Sequence, residues 1–190
     1  MLIKDDDLTI RSATAKDAAL LGRWWRNGLI MAHAGFPKGL DITDKKIARD
    51  LSCENAKIGL YVLIVEMKGM PVGEMSYRLK GEFPSIGIKI CNSHLRGKGY
   101  GTRLVNMLVG ELFDRGFQKI LVDADLENVR AQKTYERVGF IEIARHENSW
   151  KDQLGQPRGH IDYELTRASW QKMLDSPETM GYNGWIKEEI

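Results

Sequence analysis

The chain has 190 residues and carries 28 Lys and Arg against 26 Asp and Glu, a formal net charge of +2. No basic run is long enough to track a nucleic-acid backbone, so nucleic acid is excluded as the expected partner. The two cysteines, Cys53 and Cys91, and the four histidines, His33, His94, His146 and His160, show neither framework nor ligand spacing, which argues against disulfides and a metal site.

A domain of this length buries roughly 70% of its unfolded surface without a staple, and both thiols are expected as small buried hydrophobes. The acidic start MLIKDDDLTI is no signal segment, and no apolar run reaches about 18 residues. The expectation is a cytoplasmic protein with no membrane span.

In chain order, residues 8–11 read as a first strand. SATAKDAALLGRWWRNG places Ala19, Leu20 and Trp24 on one helical face, with Gly28 as its stop. MAHAGFPKGLDIT is a Gly- and Pro-rich loop, after which Thr43 can cap a helix over 44–51. LYVLIVEM (60–67), PVGEMSYRL (71–79) and SIGIKIC (85–91) are strand-like, and the turn at Lys68, Gly69 and Met70 makes the first two a hairpin of an antiparallel meander.

From Tyr100 the period changes. Leu104, Leu108 and Leu112 with Val105, Val109 and Phe113 follow the i, i+4 rule to a stop at Gly116. KILVDAD is a short strand, 127–138 a helix with Ala131, Tyr135 and Val138 on one face, and FIEIARHE and HIDYELTR two final strands. This alternation implies a partly parallel central sheet. ASWQKML reads as a last helix. The domain spans 1–175. Residues 176–190 form a tail with two readings, disorder or docking of Tyr182 and Trp185 on a second subunit of a homodimer.

HLRGKGYGTRLV (94–105) places Gly97, Gly99 and Gly101 just before the long helix, with Arg96 and Lys98 between them. A helix N-terminus offers about four unpaired N–H groups and roughly half a positive charge, a ready seat for phosphate. The glycines let the backbone approach an anion closely, and Arg96 and Lys98 add charge. The dinucleotide fingerprint fails because Thr102 stands where its last glycine belongs. The Walker pattern fails because Asn92 precedes Gly97 where glycine is needed and Gly99 follows Lys98.

Arg96, Gly99 and Gly101 spell RxxGxG, and ENVRAQKTYERVGF (127–140) follows downstream. On these two motifs and the element order from 8 to 167, the chain resembles the GNAT superfamily of acetyl-CoA-dependent N-acetyltransferases. SWKDQLGQ and YELTRASW are similar to the subgroup holding ribosomal-protein N-terminal, spermidine and aminoglycoside 6′ acetyltransferases. The resemblance implies an α/β (α+β) fold with a mixed sheet of about six to seven strands, its parallel pair splayed at a cofactor slot, and about four flanking helices. It implies an acyltransferase that moves acetyl directly from acetyl-CoA to an amine of a small molecule or a protein N-terminus. A non-catalytic acyl-CoA sensor or assembly module on the same fold is the alternative.

The resemblance also assigns roles. Arg96, Gly97, Lys98, Gly99, Tyr100, Gly101 and Thr102 would hold the CoA diphosphate, and the backbone of Lys89, Ile90 and Cys91 would pair with the pantetheine arm. Asn128 would sit near that arm or cap its helix. Tyr135 is a core residue or the general acid at the CoA sulfur. A thiol titrates near 8.5 and tyrosine near 10, so full transfer to a free thiolate is uphill by about 2 kcal/mol, and Tyr135 would act while charge develops. The amine acceptor needs a base, directly or through water. Glu74 is the first choice among Glu66, Glu74, Asp123, Asp125 and His94. The early helices and their loop would select the acceptor through Trp25, Asn27 and Phe36, with Trp24 and His33 nearby.

Overall fold

The computed structural model describes residues 1–52 and 59–175. Cys53 and the tail 176–190 lie outside the described residues, and with them the docking of Tyr182 and Trp185.

Among the described residues, eight strands form one sheet in the order β1-β2-β3-β4-β5-β6-β8-β7. The strands are β1 (Leu2–Asp5), β2 (Leu8–Ser12), β3 (Leu60–Met67), β4 (Met70–Lys80), β5 (Phe83–Ile90), β6 (Lys119–Asp125), β7 (Ile141–Lys151) and β8 (Pro157–Thr166). Neighbours are antiparallel except β5 and β6. The six α-helices of the described residues are α1 (Ala18–Trp25), α2 (Gly28–Met31), α3 (Asp44–Ser52), α4 (Tyr100–Asp114), α5 (Val129–Val138) and α6 (Arg167–Leu174). None is long and apolar enough to cross a membrane.

The extra strand relative to expectation is β1, hidden because only LIKD separates the start from an acidic turn in which Asp6 takes a positive φ of 46°. It pairs with β2, so an edge that the short sequence left unmarked is covered by one more strand. The second correction concerns α1. A 3-10 turn at Ala15–Asp17 delays its start, so Ala18, Leu21 and Gly22 are buried while Ala19 is exposed and Leu20 and Trp24 are half-buried. Gly28 opens α2 instead of ending α1; Asn27 caps that turn by accepting from the Leu29 N–H at 2.9 Å. Thr43 caps α3 as its position predicts, with its Oγ1 3.2 Å from the Lys46 amide.

The sheet divides two cores. On one face α4 and α5 cover it: Leu104, Val105, Leu108, Leu112 and Phe113 of α4 are sealed against Leu63, Val65, Met75 and Ile120. Full burial of such side chains is worth about 1.5–3 kcal/mol each, which is why a 3.6-residue stripe decides the docking of α4. On the other face Val62 and Ile64 of β3 meet Leu21 and Ile47 of α1 and α3. Alternation along β3 sends Leu63 and Val65 one way and Val62 and Ile64 the other.

Candidate active site

β5 and β6 are in register only at Ser85 with Leu121 and Ile86 with Val122, although β5 runs on to Ile90 and β6 to Asp125. Past those two pairs the strands part. A cavity of about 920 Å³ fills the gap, lined on its strand side by Ile88, Lys89 and Ile90.

One wall is the N-terminus of α4, represented by Gly97, Gly99, Gly101 and Thr102. Gly99 is its N-cap with φ 84°, a left-handed conformation that L side chains rarely adopt, and no side chain caps the first turn or places an acid there. The helix therefore presents backbone donors and a positive dipole end to the cavity. Arg96 holds this loop in place: its Nε donates to the Ile90 carbonyl at 3.0 Å, tying the loop to the end of β5. Lys98 and Tyr100 lie off the cavity wall.

The facing wall is α5. Asn128 lines the cavity, and its Oδ1 caps the helix, accepting from the Ala131 N–H at 3.2 Å. Arg130, Lys133 and Arg137 also line the cavity. They were missed, yet their i, i+3, i+7 spacing on a helix was the available signal.

Tyr135 is only 3% exposed, reaches the cavity, and packs its ring against Phe140 and Tyr163 with centroids 5.8 and 6.1 Å apart. Burial above all, then the negative charge of Asp123, pushes its phenol well above the ordinary value near 10. It is a core tyrosine by packing and a wall residue by position.

Cys91 is half-buried, not buried as expected, and lies off the cavity wall. Its amide donates to the Val72 carbonyl at 2.9 Å, so this N–H is turned toward β4 and away from the slot. Burial, with the Glu74 carboxylate adding to it, pushes its thiol up to about 12. Lys89, two residues earlier on β5, turns its backbone toward β4 in the same way, so the reading of this backbone as part of the slot narrows to Ile90, and Lys89 reaches the cavity by its side chain.

Glu74 is buried and off the cavity wall. Its Oε1 receives the Lys89 ammonium at 2.8 Å and its Oε2 the Trp25 indole N–H at 2.6 Å. Trp25 thus braces α1 to β4. Phe36 and Asn27 are exposed and off the wall as well. From this part of the chain Leu29, Ile30 and His33 line the cavity instead.

Of the other candidate bases, Glu66 is bound to Arg11 at 2.7 Å. Asp125 lines the cavity but is held by Arg158 at 2.9 Å. His94 is exposed in the 3-10 turn Ser93–Leu95, outside the cavity. Asp123 lines the cavity, with half its side chain exposed and the Lys80 ammonium 3.8 Å away. An uncapped helix N-terminus, a pair of parted strands, a buried phenol and a half-exposed carboxylate thus share one cleft.

Comparison with known proteins bears on the family and the fold. The family model described as an acetyltransferase (GNAT) domain matches residues 7–141. The aminoglycoside N(6′)-acetyltransferase type 1 of Klebsiella pneumoniae is 30% identical over 154 residues, covering 72% of this chain and 75% of that protein. Among solved structures, a spermidine N-acetyltransferase from Vibrio cholerae in complex with CoA and spermine superposes with a TM-score of 0.77 at 17% identity, covering 88% of this chain and 99% of the other. A ribosomal-protein-S5-alanine acetyltransferase from Vibrio fischeri does so with 0.74 at 18% identity, covering 90% and 98%.

Proposed function

The chain belongs to the acetyltransferase (GNAT) domain family, and from that premise we propose that it transfers acetyl from acetyl-CoA directly to a primary amine, with Tyr135 and Asp123 as the chemical pair. The observation that carries this reading is the opening of β5 from β6 opposite an uncapped α4 N-terminus, which supplies one continuous seat for a diphosphate and its extended arm.

In this reading the amides of Gly97, Gly99, Gly101 and Thr102 receive the diphosphate, and Ile90 offers its backbone N–H to the arm. Arg130, Lys133 and Arg137 add positive charge on the α5 side. A primary amine with pKa near 10.4 is only about one part in 2,000 unprotonated at pH 7, so the acceptor must lose a proton before attack. Asp123 takes that proton, directly or through water, because it is the candidate carboxylate that lines the cavity without a hydrogen-bonded cation. The amine nitrogen then attacks the thioester carbonyl, the C–S bond breaks, and the second proton lost from nitrogen passes to the departing sulfur, so that CoA leaves as the thiol while the Tyr135 hydroxyl donates a hydrogen bond to the sulfur as negative charge gathers there. The raised pKa of Tyr135 keeps that hydroxyl protonated at neutral pH and makes complete transfer more uphill, so its contribution is mainly a hydrogen bond to the leaving sulfur.

Glu74, with both oxygens engaged, is a positioning residue in this scheme rather than the base. It fixes the side chain of Lys89 at the slot and Trp25 behind it.

Aminoglycosides are the first acceptors to assay, given the 30% identical relative, followed by polyamines and N-terminal peptides. Thiol release from acetyl-CoA that depends on one of them, and that falls in Asp123→Asn while CoA binding persists, supports the proposal. CoA binding with no acceptor-dependent release across the panel returns the protein to the sensor alternative.

A further inference from the structure

Sequence spacing gave no reason to group the histidines, but the β7–β8 hairpin does. His146 stands directly opposite His160, and Asp162 lies two residues beyond His160, hence on the same face of β8. One ligand atom from each of the three lies within 4.8 Å of the others. The His146 Nε2 is 3.1 Å from Asp162 Oδ2, and the His160 Nε2 is 3.8 Å from Asp162 Oδ1.

The two rings stack face to face with centroids 4.7 Å apart, and each imidazole turns its Nε2 toward the Asp162 carboxylate. The Ser149 hydroxyl lies 3.2 Å from His160 Nδ1, an outer contact that orients the ring and leaves Nε2 facing the cluster. Tetrahedral bonds of about 2.0–2.1 Å place ligand atoms roughly 3.3 Å apart, so the two His–Asp162 separations of 3.1 and 3.8 Å need little change and the two imidazole nitrogens start within 4.8 Å of each other.

The geometry points to a binding site for a borderline divalent transition ion, of the Zn²⁺ or Co²⁺ kind, formed by His146, His160 and Asp162. Two imidazoles and one carboxylate suit such ions, whereas Mg²⁺ and Ca²⁺ seek shells of oxygen. Three protein ligands leave a fourth position for water or a ligand group. The ion would clip β7 to β8 where their pairing is interrupted, since the register shifts between His146 and Trp150. The site also adjoins the cleft, because Asp162 pairs in register with Asp123 and His160 with Asp125 across β6 and β8. Its existence does not depend on the acetyl-transfer reading.

The test is titration of chelator-treated full-length protein with CoCl₂, followed by visible absorption, and with ZnCl₂ by calorimetry. Expected is saturable binding of one ion per chain, without a thiolate charge-transfer band, and a higher melting temperature with Zn²⁺. His146→Ala, His160→Ala and Asp162→Asn each weaken binding by at least about tenfold. The double variant His33→Ala/His94→Ala, which removes the two histidines outside the cluster, retains it. Circular dichroism establishes that each variant is folded. Absence of saturable binding, undiminished affinity in folded His160→Ala, or a thiolate spectrum would overturn the proposal.

Discussion

The Lys89 ammonium sits 2.8 Å from Glu74 Oε1, across neighbouring positions of β4 and β5. The carboxylate is 6% exposed and the lysine 30%, so the pair is closed on the Glu74 side and open to the cleft on the other. Glu74→Gln keeps an acceptor for Trp25 but removes the ion pair. It is expected to lower stability by about 1–3 kcal/mol and to change KM more than kcat. Asp123→Asn is expected to lower kcat by about 10²–10⁴ with little change in CoA affinity. Steady-state kinetics and urea denaturation of the two variants decide between them, since the opposite pattern would make Glu74 the base.

Tyr135→Phe should cut kcat by about 10²–10⁴ while leaving CoA binding intact, because the ring packing against Phe140 and Tyr163 is preserved. The pH sign follows from the raised phenol pKa. Above pH about 10 the unfolded tyrosine ionises while the folded one keeps its proton, so this group lowers stability as pH rises beyond that point. Wild type should therefore lose more stability than Tyr135→Phe between neutral and strongly alkaline pH, as read by denaturation. Equal loss in both would remove the burial argument.

Of the three glycines on the α4 wall, Gly99 and Gly101 should respond differently to alanine. At Gly99 an added methyl meets nothing within 4 Å, but the φ of 84° costs about 1–2 kcal/mol. At Gly101 the methyl makes ordinary contact with Thr134 at 3.6 Å, inside a regular helix. Gly101→Ala should keep or raise thermal stability yet weaken CoA binding by crowding the wall, whereas Gly99→Ala should lose both. Calorimetric CoA titration alongside melting curves reads the contrast, and unchanged affinity in both variants would dismiss this wall as the diphosphate seat.

Cys91 should be a slow thiol. With its pKa pushed up to about 12, the folded protein holds very little thiolate at pH 8, whereas the unfolded chain, near 8.5, holds a substantial share. Alkylation of the Cys91 peptide, followed by mass spectrometry, should be roughly 1,000-fold slower in native than in denatured protein. Rapid native labelling would show that the half-buried sulfur is solvated.

Much of the frame was legible because its signals are local. The strand LYVLIVEM spans the observed β3, Thr43 caps α3, and the leucine stripe of α4 docks as its period requires. Signals that depend on partners were not legible. LIKD is a strand only because β2 lies beside it, and the exposed face of α1 was misassigned because a single 3-10 turn rotates every later side chain. Glu74 reads as a free acid until Trp25 and Lys89 close on it from two other elements.

The sequence by itself determined the family, the glycine loop and its helix, and the placement of Tyr135 on α5, since spacing along one segment sets which groups share a turn or a face. Only the tertiary structure decided which carboxylates meet the cleft, which of them a cation holds, and which histidines gather on the hairpin. Ion pairing and strand register join residues far apart in the chain, and they depend on distances that the order of amino acids does not display.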